Sequence, residues 1–367
     1  MRALILAAGA STRAWPLTAT RPKPLLPVAN RPHLEYLLAG LAGRVDEVIV
    51  VIGYRAAELR RWLLERRGPP RIRTVLQAEA RGTGDAVLQA RRHLKREFLV
   101  LNGDDLFEPV DIDPMIAAPG CAVLVAPVAD PRNRGVVRLH GRRIVDILEK
   151  PRRPPSRLAA IGMYRLDGAI FPVLRDQPLS SRGENELTQA IAVLARRGRV
   201  EAVRRAGLWY ALGYPWDLLR ANHLQLRRFH RGVSLGAGAE VGRDAALRGT
   251  VLVDDGVVLG SRCRVHGPSA LGAGARIGAG ARVVASVLLP GAVVEEDAIV
   301  EHSVLGAGAR VGAGARLSSR PKAATVKVRV KGRLIDSGLK RLGAILGDRT
   351  DVSPGAVLNP GTLQSCE

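Results

Sequence analysis

Cysteine is scarce and scattered in this chain of 367 residues. The only three are Cys121, Cys263 and Cys366, and no two of them form a CxxC pair. An odd number of widely separated cysteines argues against a disulfide framework and against a structural zinc site. No apolar run is long enough to span a membrane, and the run at the N-terminus is too short for a signal peptide with its cleavage site. We therefore expect a cytoplasmic protein without a membrane partner.

Lysine is also rare. Only seven of the 56 basic residues are lysines, which leaves 49 arginines and a formal net charge of +22. Such a surplus could serve a nucleic acid or an anionic membrane, but arginine spread over the whole chain fits a genome-wide codon bias better. A nucleic-acid binder would interleave its basic residues with stacking aromatic side chains. No aromatic residue follows Phe229, so we predict no nucleic-acid partner.

The loss of aromatic residues after Phe229 also predicts a domain boundary, with one domain over residues 1–230 and another over residues 231–367. In the first domain, apolar β-rich runs alternate with helical patterns, which is typical of an α/β fold with a mostly parallel sheet. A hairpin pattern over Gly135–Lys150 indicates that the sheet becomes mixed. The predicted strands are Ala3–Ala8, Glu47–Tyr54, Ile72–Gln77, Phe98–Asp104, Ala122–Val128, Val136–Leu139 and Ala159–Leu166. The predicted helices are His33–Leu41, Ala56–Arg66, Asp85–Leu94, Glu184–Arg196 and Trp216–Arg228.

Aliphatic residues recur at every sixth position in the second domain. One series runs from Leu235 to Leu289, and a second series, in shifted phase, runs from Val293 to Leu317. This period predicts a β-helix, in which each short strand stacks its aliphatic side chain on that of the neighbouring coil. A low-complexity Gly/Ala linker would not keep the aliphatic residues in phase. We expect a loop or insertion at Pro290-Gly291, where the phase shifts, and a strand excursion off the coil near residues 318–334.

A glycine-containing loop follows the first predicted strand, from Ala7 to Val28. Gly9 permits a positive φ, and backbone amides at the carboxyl end of a parallel strand can approach an anion, as in nucleotide-binding α/β sheets. The loop matches neither GxGxxG nor GxxxxGK[ST]. Arg13 could hold phosphates with its planar guanidinium, and Lys23 lies between two prolines that predict a stiff, extended backbone. The alternative is an ordinary solvated basic loop.

The segment LAAGASTRAWPLTATRPKPLLPV resembles the signature of the sugar-1-phosphate nucleotidylyltransferases, LAAGxGTRLxPLTxxxPKPxLPV, with Ser11 where that family usually has a second glycine. Other matching segments follow in the family's order: Gln77 with GTGDAV at 82–87, LNGDDLF at 101–107, Gly135 with Glu149-Lys150-Pro151, Gly162-Met163-Tyr164, and GYPWDLLRAN at 213–222. With the six-residue repeats, the resemblance covers nearly the whole chain. It implies a Rossmann-like, mixed-sheet nucleotidyltransferase domain followed by a left-handed parallel β-helix, as in the two-domain, archaeal-type form.

The resemblance implies transfer of a nucleotidyl group from an NTP to a sugar-1-phosphate, with Mg²⁺ as the cofactor. Gln77 would pair with the N3–H and O4 edge of uracil or thymine, which favours UTP or dTTP. The matching catalytic positions are Arg13, Lys23 and Asp104, of which Asp104 would also bind Mg²⁺. The other matching nucleotide-binding positions are Ala8, Gly9, Gly82 and Thr83, and the sugar-phosphate positions are Gly135, Glu149, Lys150 and Gly162.

One departure from the family pattern affects a metal-ligand position. The motif WxDxG, whose aspartate is the second metal ligand, is present as residues 209–213 with Ala211 in place of that aspartate. Asp217 matches a different family position and is predicted to cap the following helix. We therefore expect weakened Mg²⁺ binding and reduced but real activity. The alternative is a weak or inactive homologue that binds a nucleotide or sugar for regulation.

Relatives with a similar β-helix include acetyl-CoA-dependent sugar N-acetyltransferases. Aligning residues 303–306 on their SxIG motif places Glu296 where those enzymes have a catalytic histidine. His302 falls six residues late, and one strand step turns it onto another face, so we predict no acetyltransferase activity and a surface position for His302. Because β-helices commonly pack side by side, we expect a homo-oligomer formed through this domain, and a purely structural assembly protein is a further alternative.

Overall fold

The computed structural model describes residues 1–94, 96–321 and 323–366. Lys322, within the predicted excursion, and Glu367, at the end of the predicted second domain, lie outside the described residues. The chain forms two units, one of residues 1–10 and 34–211 and the other of residues 11–33 and the chain from Leu212 onward. The predicted domain boundary after residue 230 stays a prediction.

Helices and strands are interspersed up to Phe229. The strands are β1 (Arg2–Ala7), β2 (Pro27–Val28), β3 (Arg31–Pro32), β4 (Glu47–Ile52), β5 (Arg71–Leu76), β6 (Glu97–Asn102), β7 (Asp105–Phe107), β8 (Cys121–Pro127), β9 (Gly135–His140), β10 (Arg143–Glu149), β11 (Leu158–Asp167), β12 (Val200–Arg204) and β13 (Trp209–Ala211). The helices are α1 (His33–Leu41), α2 (Ala56–Glu65), α3 (Thr83–Gln89), α4 (Pro109–Ala117), α5 (Ile170–Asp176), α6 (Leu187–Arg196) and α7 (Pro215–Phe229). Short 3-10 turns cover Thr12–Ala14, Lys23–Leu25, Arg91–His93 and Pro131–Asn133.

The first unit is built on a nine-stranded sheet with the order β5-β4-β1-β6-β11-β8-β12-β10-β9. Strands β5, β4, β1 and β6 are parallel, whereas β11 runs antiparallel to β6 and β8. Every residue of β4, with the sequence EVIVVI, is buried, as expected of a central parallel strand that is covered on both faces. The mixed α/β sheet predicted from the sequence is confirmed.

The second unit contains three parallel sheets, the arrangement of a left-handed β-helix. Its first coils are formed by β14 (Val233–Leu235), β15 (Glu240–Val241), β16 (Ala246–Arg248), β17 (Val251–Val253), β18 (Val258–Leu259), β19 (Arg264–His266), β20 (Ser269–Leu271), β21 (Arg276–Ile277) and β22 (Arg282–Val284). Later coils are formed by β23 (Val287–Leu288), β24 (Val293–Val294), β25 (Ile299–Glu301), β26 (Val304–Leu305), β27 (Arg310–Val311), β28 (Arg316–Leu317), β31 (Ile345–Leu346), β32 (Asp351–Val352), β33 (Val357–Leu358) and β34 (Leu363–Gln364). The strands β29 (Lys327–Val330) and β30 (Arg333–Asp336) pair as an antiparallel hairpin between two coils.

The six-residue period is present, but the predicted cause of its phase shift is wrong. No loop is inserted at Pro290-Gly291. Instead, Val283 and Leu288 are consecutive interior residues, and they stack on Val265 and Leu271 of the previous coil. The step between them is therefore five residues rather than six. A second five-residue step separates Val300 from Leu305. The interior positions after the shift are therefore Leu288, Val294 and Val300 rather than Leu289, Val293 and Ile299.

The two short corners have a local cause. Ala285 and His302 take left-handed backbone conformations there, with φ values of 46° and 47°, which lets one residue fewer turn the chain. A buried ladder of serines crosses the same corners: the Ser269 hydroxyl accepts from Ser286 N at 3.1 Å, and the Ser286 hydroxyl accepts from Ser303 N at 3.1 Å. These hydrogen bonds satisfy backbone donors that the shortened turn leaves inside the coil.

Among the described residues, no helix is both long and apolar enough to cross a membrane.

Candidate active site

Two glycine-containing segments of the first unit leave neighbouring strands at the same edge of the sheet. Strands β1 and β6 pair in parallel, with Leu6 opposite Asn102. Ala8 and Gly9 therefore follow β1 beside the turn that follows β6. In that turn Gly103 N donates to Leu6 O at 2.8 Å, and a methyl group at Gly103 would lie 2.7 Å from the same oxygen. Only glycine permits this close approach.

An acidic pair follows that turn. Asp104 is partly buried, whereas the Asp105 carboxylate is buried and accepts from Asn102 Nδ2 and Trp209 Nε1, each at 3.0 Å. Burial and the neighbouring charge of Asp104 raise the pKa of Asp105 to about 7. The Arg134 guanidinium acts in the opposite direction and lowers this pKa. Arg134 NH1 lies 3.9 Å from Asp105 Oδ1. Asp104, predicted at a strand end, lies in the turn between β6 and β7.

Gly162 packs directly against this acidic pair. Its φ is +87°, and a methyl group at this position would lie 2.3 Å from Asp105 Oδ2 and 2.5 Å from Asn102 Nδ2. Residue 162 must therefore be glycine for Asp105 and Asn102 to keep their hydrogen bond. The structure places this predicted sugar-pocket residue beside the predicted metal-binding turn.

Ala211 occupies the position of the missing family aspartate and faces the acidic pair. It lies opposite Asp105 in the antiparallel β7–β13 ladder, and Trp209, two residues earlier on the same face, donates to Asp105. The Arg134 guanidinium stacks on the Trp209 ring, with its Cζ 5.0 Å from the ring centroid. Within the described part of the chain, no group of three or more His, Cys, Asp or Glu side chains is arranged to hold a metal ion.

A buried amide lies in the predicted base-binding region. Gln77 Nε2 donates to Gly82 O at 3.1 Å and to Asp85 Oδ2 at 2.6 Å. Both of its amide protons are therefore used within the protein, so a base would meet Gln77 Oε1, an acceptor. The expected donation from Gln77 to O4 would require one of these bonds to break.

Gly82 and Thr83 join this region to the start of α6. Gly82 has a φ of +104°, and a methyl group there would lie 2.4 Å from Asn185 O. The Thr83 hydroxyl accepts from Leu187 N at 3.1 Å. Both contacts hold the turn before α3 against the turn before α6. A side chain on Gly82, the predicted nucleotide-binding glycine, would therefore disrupt this packing.

The predicted sugar-phosphate residues form a second cluster in the same unit. Gly135 lies opposite Glu149 in the β9–β10 ladder, and a methyl group there would lie 3.4 Å from Glu149 Oε2. Glu149 accepts from the Thr188 hydroxyl at 2.7 Å and lies 3.2 Å from Lys150 Nζ. Arg182 NH2 lies 3.8 Å from Glu149 Oε1 and pairs closely with Glu186. Burial and the nearby charge of Glu149 raise the pKa of Glu186.

The signature loop from Ser11 onward belongs to the second unit. Its left-handed residue is Ser11, with a φ of 53°, whereas Gly9, which would permit a positive φ, does not adopt one. The Arg13 side chain is exposed and lies over the Tyr214 ring, with its Cζ 5.6 Å from the centroid. Lys23 is buried and begins a 3-10 turn after an extended Pro22, so the expected extended backbone at Lys23 is wrong. Leu26 N donates to Lys23 O at 3.0 Å in that turn.

Side chains from helix α7 and the β-helix hold the loop. The Asp348 carboxylate accepts from the Thr20 hydroxyl and, at 2.5 Å, from Arg21 NH2. Asn222 Oδ1 on α7 accepts from Ala29 N at 2.7 Å. These contacts join the loop to distant parts of the sequence and keep its backbone in one position.

Two other predictions about side chains have clear outcomes. Asp217 accepts from Gly213 N at 3.0 Å and from Tyr214 N at 2.7 Å, which confirms that it caps α7. His302 is partly buried rather than on the surface as predicted, because its ring packs edge-on against His223 at 6.3 Å between centroids.

Sequence reasoning missed several side chains of these clusters, among them Asp105, Arg134, Arg182 and Thr188. Asp105 is adjacent to the predicted ligand, and the consecutive carboxylates of the GDD segment were a usable signal. Arg134 and Arg182 were two arginines among 49, and nothing in the sequence distinguishes them.

Comparison with known proteins agrees with this geometry. The model of the nucleotidyl transferase family matches residues 2–228, and the model of the GMPPB C-terminal domain matches residues 233–364. The bifunctional protein GlmU of Methanococcus maripaludis is 36% identical to this chain over 262 residues, which are 71% of the chain and 62% of that protein. The chain therefore spans less than two thirds of that relative.

Two further similarities cover more of the known protein. A bifunctional sugar-1-phosphate nucleotidylyltransferase/acetyltransferase of Sulfurisphaera tokodaii is 31% identical over 98% of this chain and 93% of its own length. The crystal structure of a UDP-glucose pyrophosphorylase with UDP-glucose is similar with a TM-score of 0.57 and 26% identity, over 62% of this chain and 98% of that one.

Proposed function

Because the chain belongs to the nucleotidyl transferase family, and within it to the sugar-1-phosphate nucleotidylyltransferases, we propose that it transfers a nucleotidyl group from UTP or dTTP to a sugar-1-phosphate. A phosphate oxygen of the sugar phosphate attacks the α-phosphorus, the bond from the α-phosphorus to the oxygen bridging to the β-phosphorus breaks, and pyrophosphate leaves. We assign this reaction to residues 1–230 and the β-helix to residues 231–367.

The observation that carries this proposal is the pairing of β1 with β6. Because these strands are parallel neighbours, Ala8-Gly9 and Asp104 lie at the same edge of the sheet. In open α/β sheets, ligands bind outside the carboxyl ends of the strands. The arrangement supports a phosphate-binding backbone segment beside a carboxylate that can hold a cation.

The base and the sugar would meet different clusters of the first unit. Gln77 Oε1 would accept from N3–H of uracil or thymine, since its amide protons are already donated to Gly82 and Asp85. The UDP-glucose in the similar solved structure supports a uracil base. Glu149, beside Gly135, would accept from sugar hydroxyls, and Lys150 would bind the sugar phosphate.

Mg²⁺ fits this site with fewer protein ligands than the family pattern provides. Asp104 would hold the ion, while Asp105 is committed to Asn102 and Trp209 and Ala211 supplies no oxygen. A protein usually holds Mg²⁺ with one or two carboxylates, and substrate phosphates and waters supply the remaining ligands. When bound, the ion would neutralise charge on the phosphates. From the family pattern alone, we propose that Arg13 binds the leaving pyrophosphate and Lys23 the transferred phosphate.

A second candidate function is a regulatory protein that binds nucleotide or sugar with little catalysis. The observation that favours it is Ala211, which leaves the acidic pair without the carboxylate that the family places across the ladder. We rank it second, because the other matching polar residues, Arg13, Lys23, Gln77, Asp104, Glu149 and Lys150, are all present.

We propose that the chain has no acetyltransferase activity, although the relative from Sulfurisphaera tokodaii is named for both activities. His302, which lies nearest to the expected catalytic position, packs against His223 at a shortened corner of the coil. Burial lowers the pKa of His302, as does the charge of Arg341. Loss of the glucosamine-1-phosphate amine in the presence of acetyl-CoA and the purified protein would contradict this proposal.

We also propose that copies of this chain associate through the β-helix, by the end that begins at β14. The first-coil residues Leu235 and Val241 point inward, yet they are 51% and 47% exposed. Their counterparts one coil later, Val253 and Leu259, are 2% and 1% exposed. A second copy packed on this end would cover its apolar side chains.

The experiment that tests the proposed reaction is a pyrophosphate-release assay of four NTPs against several sugar-1-phosphates. With Mg²⁺, we expect UTP or dTTP to be used in preference to ATP and CTP, and we expect EDTA to abolish release. Thermal stabilisation by UTP plus Mg²⁺ without pyrophosphate release from any sugar phosphate would support the regulatory candidate instead.

A further inference from the structure

A hairpin from the C-terminal half of the chain touches the signature loop. Strands β29 and β30 are joined by Lys331 and Gly332. At this tip, Lys331 Nζ donates to the Thr12 hydroxyl at 2.8 Å. Thr12 immediately precedes Arg13, and both lie in the same unit as the hairpin. The hairpin therefore brings an ammonium group to the loop residue beside the proposed pyrophosphate-binding arginine.

The backbone at the tip indicates that lysine is there for its side chain. Lys331 has a φ of 48° and Gly332 a φ of 77°, so both central residues of the turn are left-handed, as in a type I′ turn. Such turns favour Asn-Gly or Asp-Gly, because the left-handed conformation brings Cβ close to the next carbonyl oxygen and the short polar side chains of Asn and Asp offset this with local hydrogen bonds. Lysine is also rare in a chain that has 49 arginines. Strained residues of this kind concentrate at functional sites.

Hydrogen bonds and a buried side chain hold the base of the hairpin in place. Val328 is fully buried, and Val326 N donates to Leu339 O at 2.8 Å. The Ser337 hydroxyl donates to Val326 O at 2.6 Å, and Arg220 NH2 donates to Ser337 O at 2.7 Å. The loop on the other side is held by Asp348. Both partners of the Lys331–Thr12 contact are therefore held by further hydrogen bonds, the hairpin by Arg220 of α7 and the loop by Asp348.

We propose that Lys331 is a phosphate-binding residue of the nucleotide site and contacts the β- and γ-phosphates of the NTP and the pyrophosphate product. An ammonium group has three protons, of which one is donated to Thr12 and two remain for anionic oxygens. The hairpin thus contributes a cation to the loop that carries Arg13. This inference rests on the proposed function, because that function identifies the loop as the triphosphate site.

The test compares Lys331→Asn with Lys327→Ala. Asparagine suits the left-handed turn and removes the ammonium group without threatening the fold. Lys327→Ala removes the same charge from an exposed position on the same hairpin. Binding of pyrophosphate and of UTP is measured by calorimetry, and KM is measured for the NTP and for the sugar-1-phosphate.

We expect Lys331→Asn to weaken pyrophosphate binding about 5- to 30-fold and to raise KM for the NTP without changing KM for the sugar-1-phosphate. Lys331→Arg should restore part of the binding. Equal binding by wild type and Lys331→Asn, or an equal loss in Lys327→Ala, would overturn the inference. If the wild type binds pyrophosphate through Lys331 but releases none from any substrate pair, the proposed reaction fails and this binding site stands.

Discussion

Ala211 lies directly opposite Asp105 in the antiparallel ladder of β7 and β13. Directly opposite residues in such a ladder project to the same face, with Cβ atoms about 4.5–5.5 Å apart. A side chain at position 211 therefore extends beside a carboxylate that already has two hydrogen-bond donors and a guanidinium near it. The replacement of the family's aspartate by Ala211 thus changes the immediate surroundings of the acidic pair.

Restoring the aspartate should strengthen metal binding. We expect Ala211→Asp to increase Mg²⁺ affinity and the rate of pyrophosphate release about 10- to 100-fold, because a second carboxylate joins Asp104. Without Mg²⁺, the same change should lower the melting temperature, since it places a like charge opposite Asp105. Thermal melts at increasing Mg²⁺ concentration and the pyrophosphate assay measure both effects.

Ala211→Asn is the matched control for this prediction, because it has nearly the same shape and no charge. It should change neither Mg²⁺ affinity nor rate by more than about twofold. A wild type with almost no activity that gains several orders of magnitude in Ala211→Asp would favour the regulatory function over the enzyme.

Gly162 should tolerate no side chain. In Gly162→Ala the new methyl group would meet Asp105 Oδ2 at 2.3 Å, and the residue would keep a φ of +87°. We expect a loss of about 2–4 kcal/mol in the free energy of unfolding, together with a large loss of pyrophosphate release. Gly168→Ala is the control, since nothing lies within 4 Å of a methyl group at that position. Urea denaturation that gave equal stability for both variants would refute this account.

Much of the fold follows from sequence periodicity. The short, β-branched run EVIVVI predicts a buried strand, and the six-residue spacing of aliphatic residues predicts a β-helix. The sequence predicts less directly which residue of each repeat faces the interior of the β-helix. Where two aliphatic residues are adjacent, as at Leu288 and Leu289 or Val293 and Val294, either can face the interior. The preceding corner is one residue shorter than most others, and this determines which of the two adjacent residues faces the interior. The buried serine ladder at that corner can be recognised only from the structure.

Candidate site residues that lie in a family motif could be predicted from the sequence. Residues that are brought into the site only by tertiary contacts could not. Asp104, Glu149 and Gly162 lie in short matching segments of the sequence. The partner of Asp105, Trp209, is 104 residues away, and only the pairing of two three-residue strands brings them together. Strands that short carry almost no periodic signal.

The open end of the β-helix should control assembly. We expect the double variant Leu235→Glu/Val241→Glu to dissociate the oligomer, because it places charges on the apolar end that a second copy would cover. Val357→Glu, at an exposed aliphatic position on β33, should leave the oligomer intact. Sedimentation velocity over a range of concentrations measures the effect. A wild type that stays monomeric at every concentration would contradict the proposal.

His223 should make stability depend on pH below neutrality. Burial lowers its pKa from 6.5 to about 4, with smaller lowering effects from His302 and Arg227, while its hydrogen bond with Ala285 O raises it. That bond is 2.9 Å long, and since a carbonyl oxygen only accepts, His223 Nε2 carries the proton. Between pH 6.5 and pH 4, His223 is therefore protonated in the unfolded chain but neutral in the folded chain.

His223 should consequently lower the free energy of unfolding by about 1.4 kcal/mol per pH unit as the pH falls from 6.5 to 4, and its contribution to stability is fully present above pH 6.5. The raised pKa of Asp105 acts in the opposite direction over this range, so the effect of His223 is measured as the difference in slope between the wild type and His223→Gln. His223→Gln, which can still donate to Ala285 O, should lose this contribution to the pH dependence. His140→Gln, which replaces an exposed histidine at the end of β9, is the matched control variant. Urea denaturation at pH 7, 6, 5 and 4.5 gives the slopes, and equal slopes in wild type and His223→Gln would show that His223 is not the group that titrates.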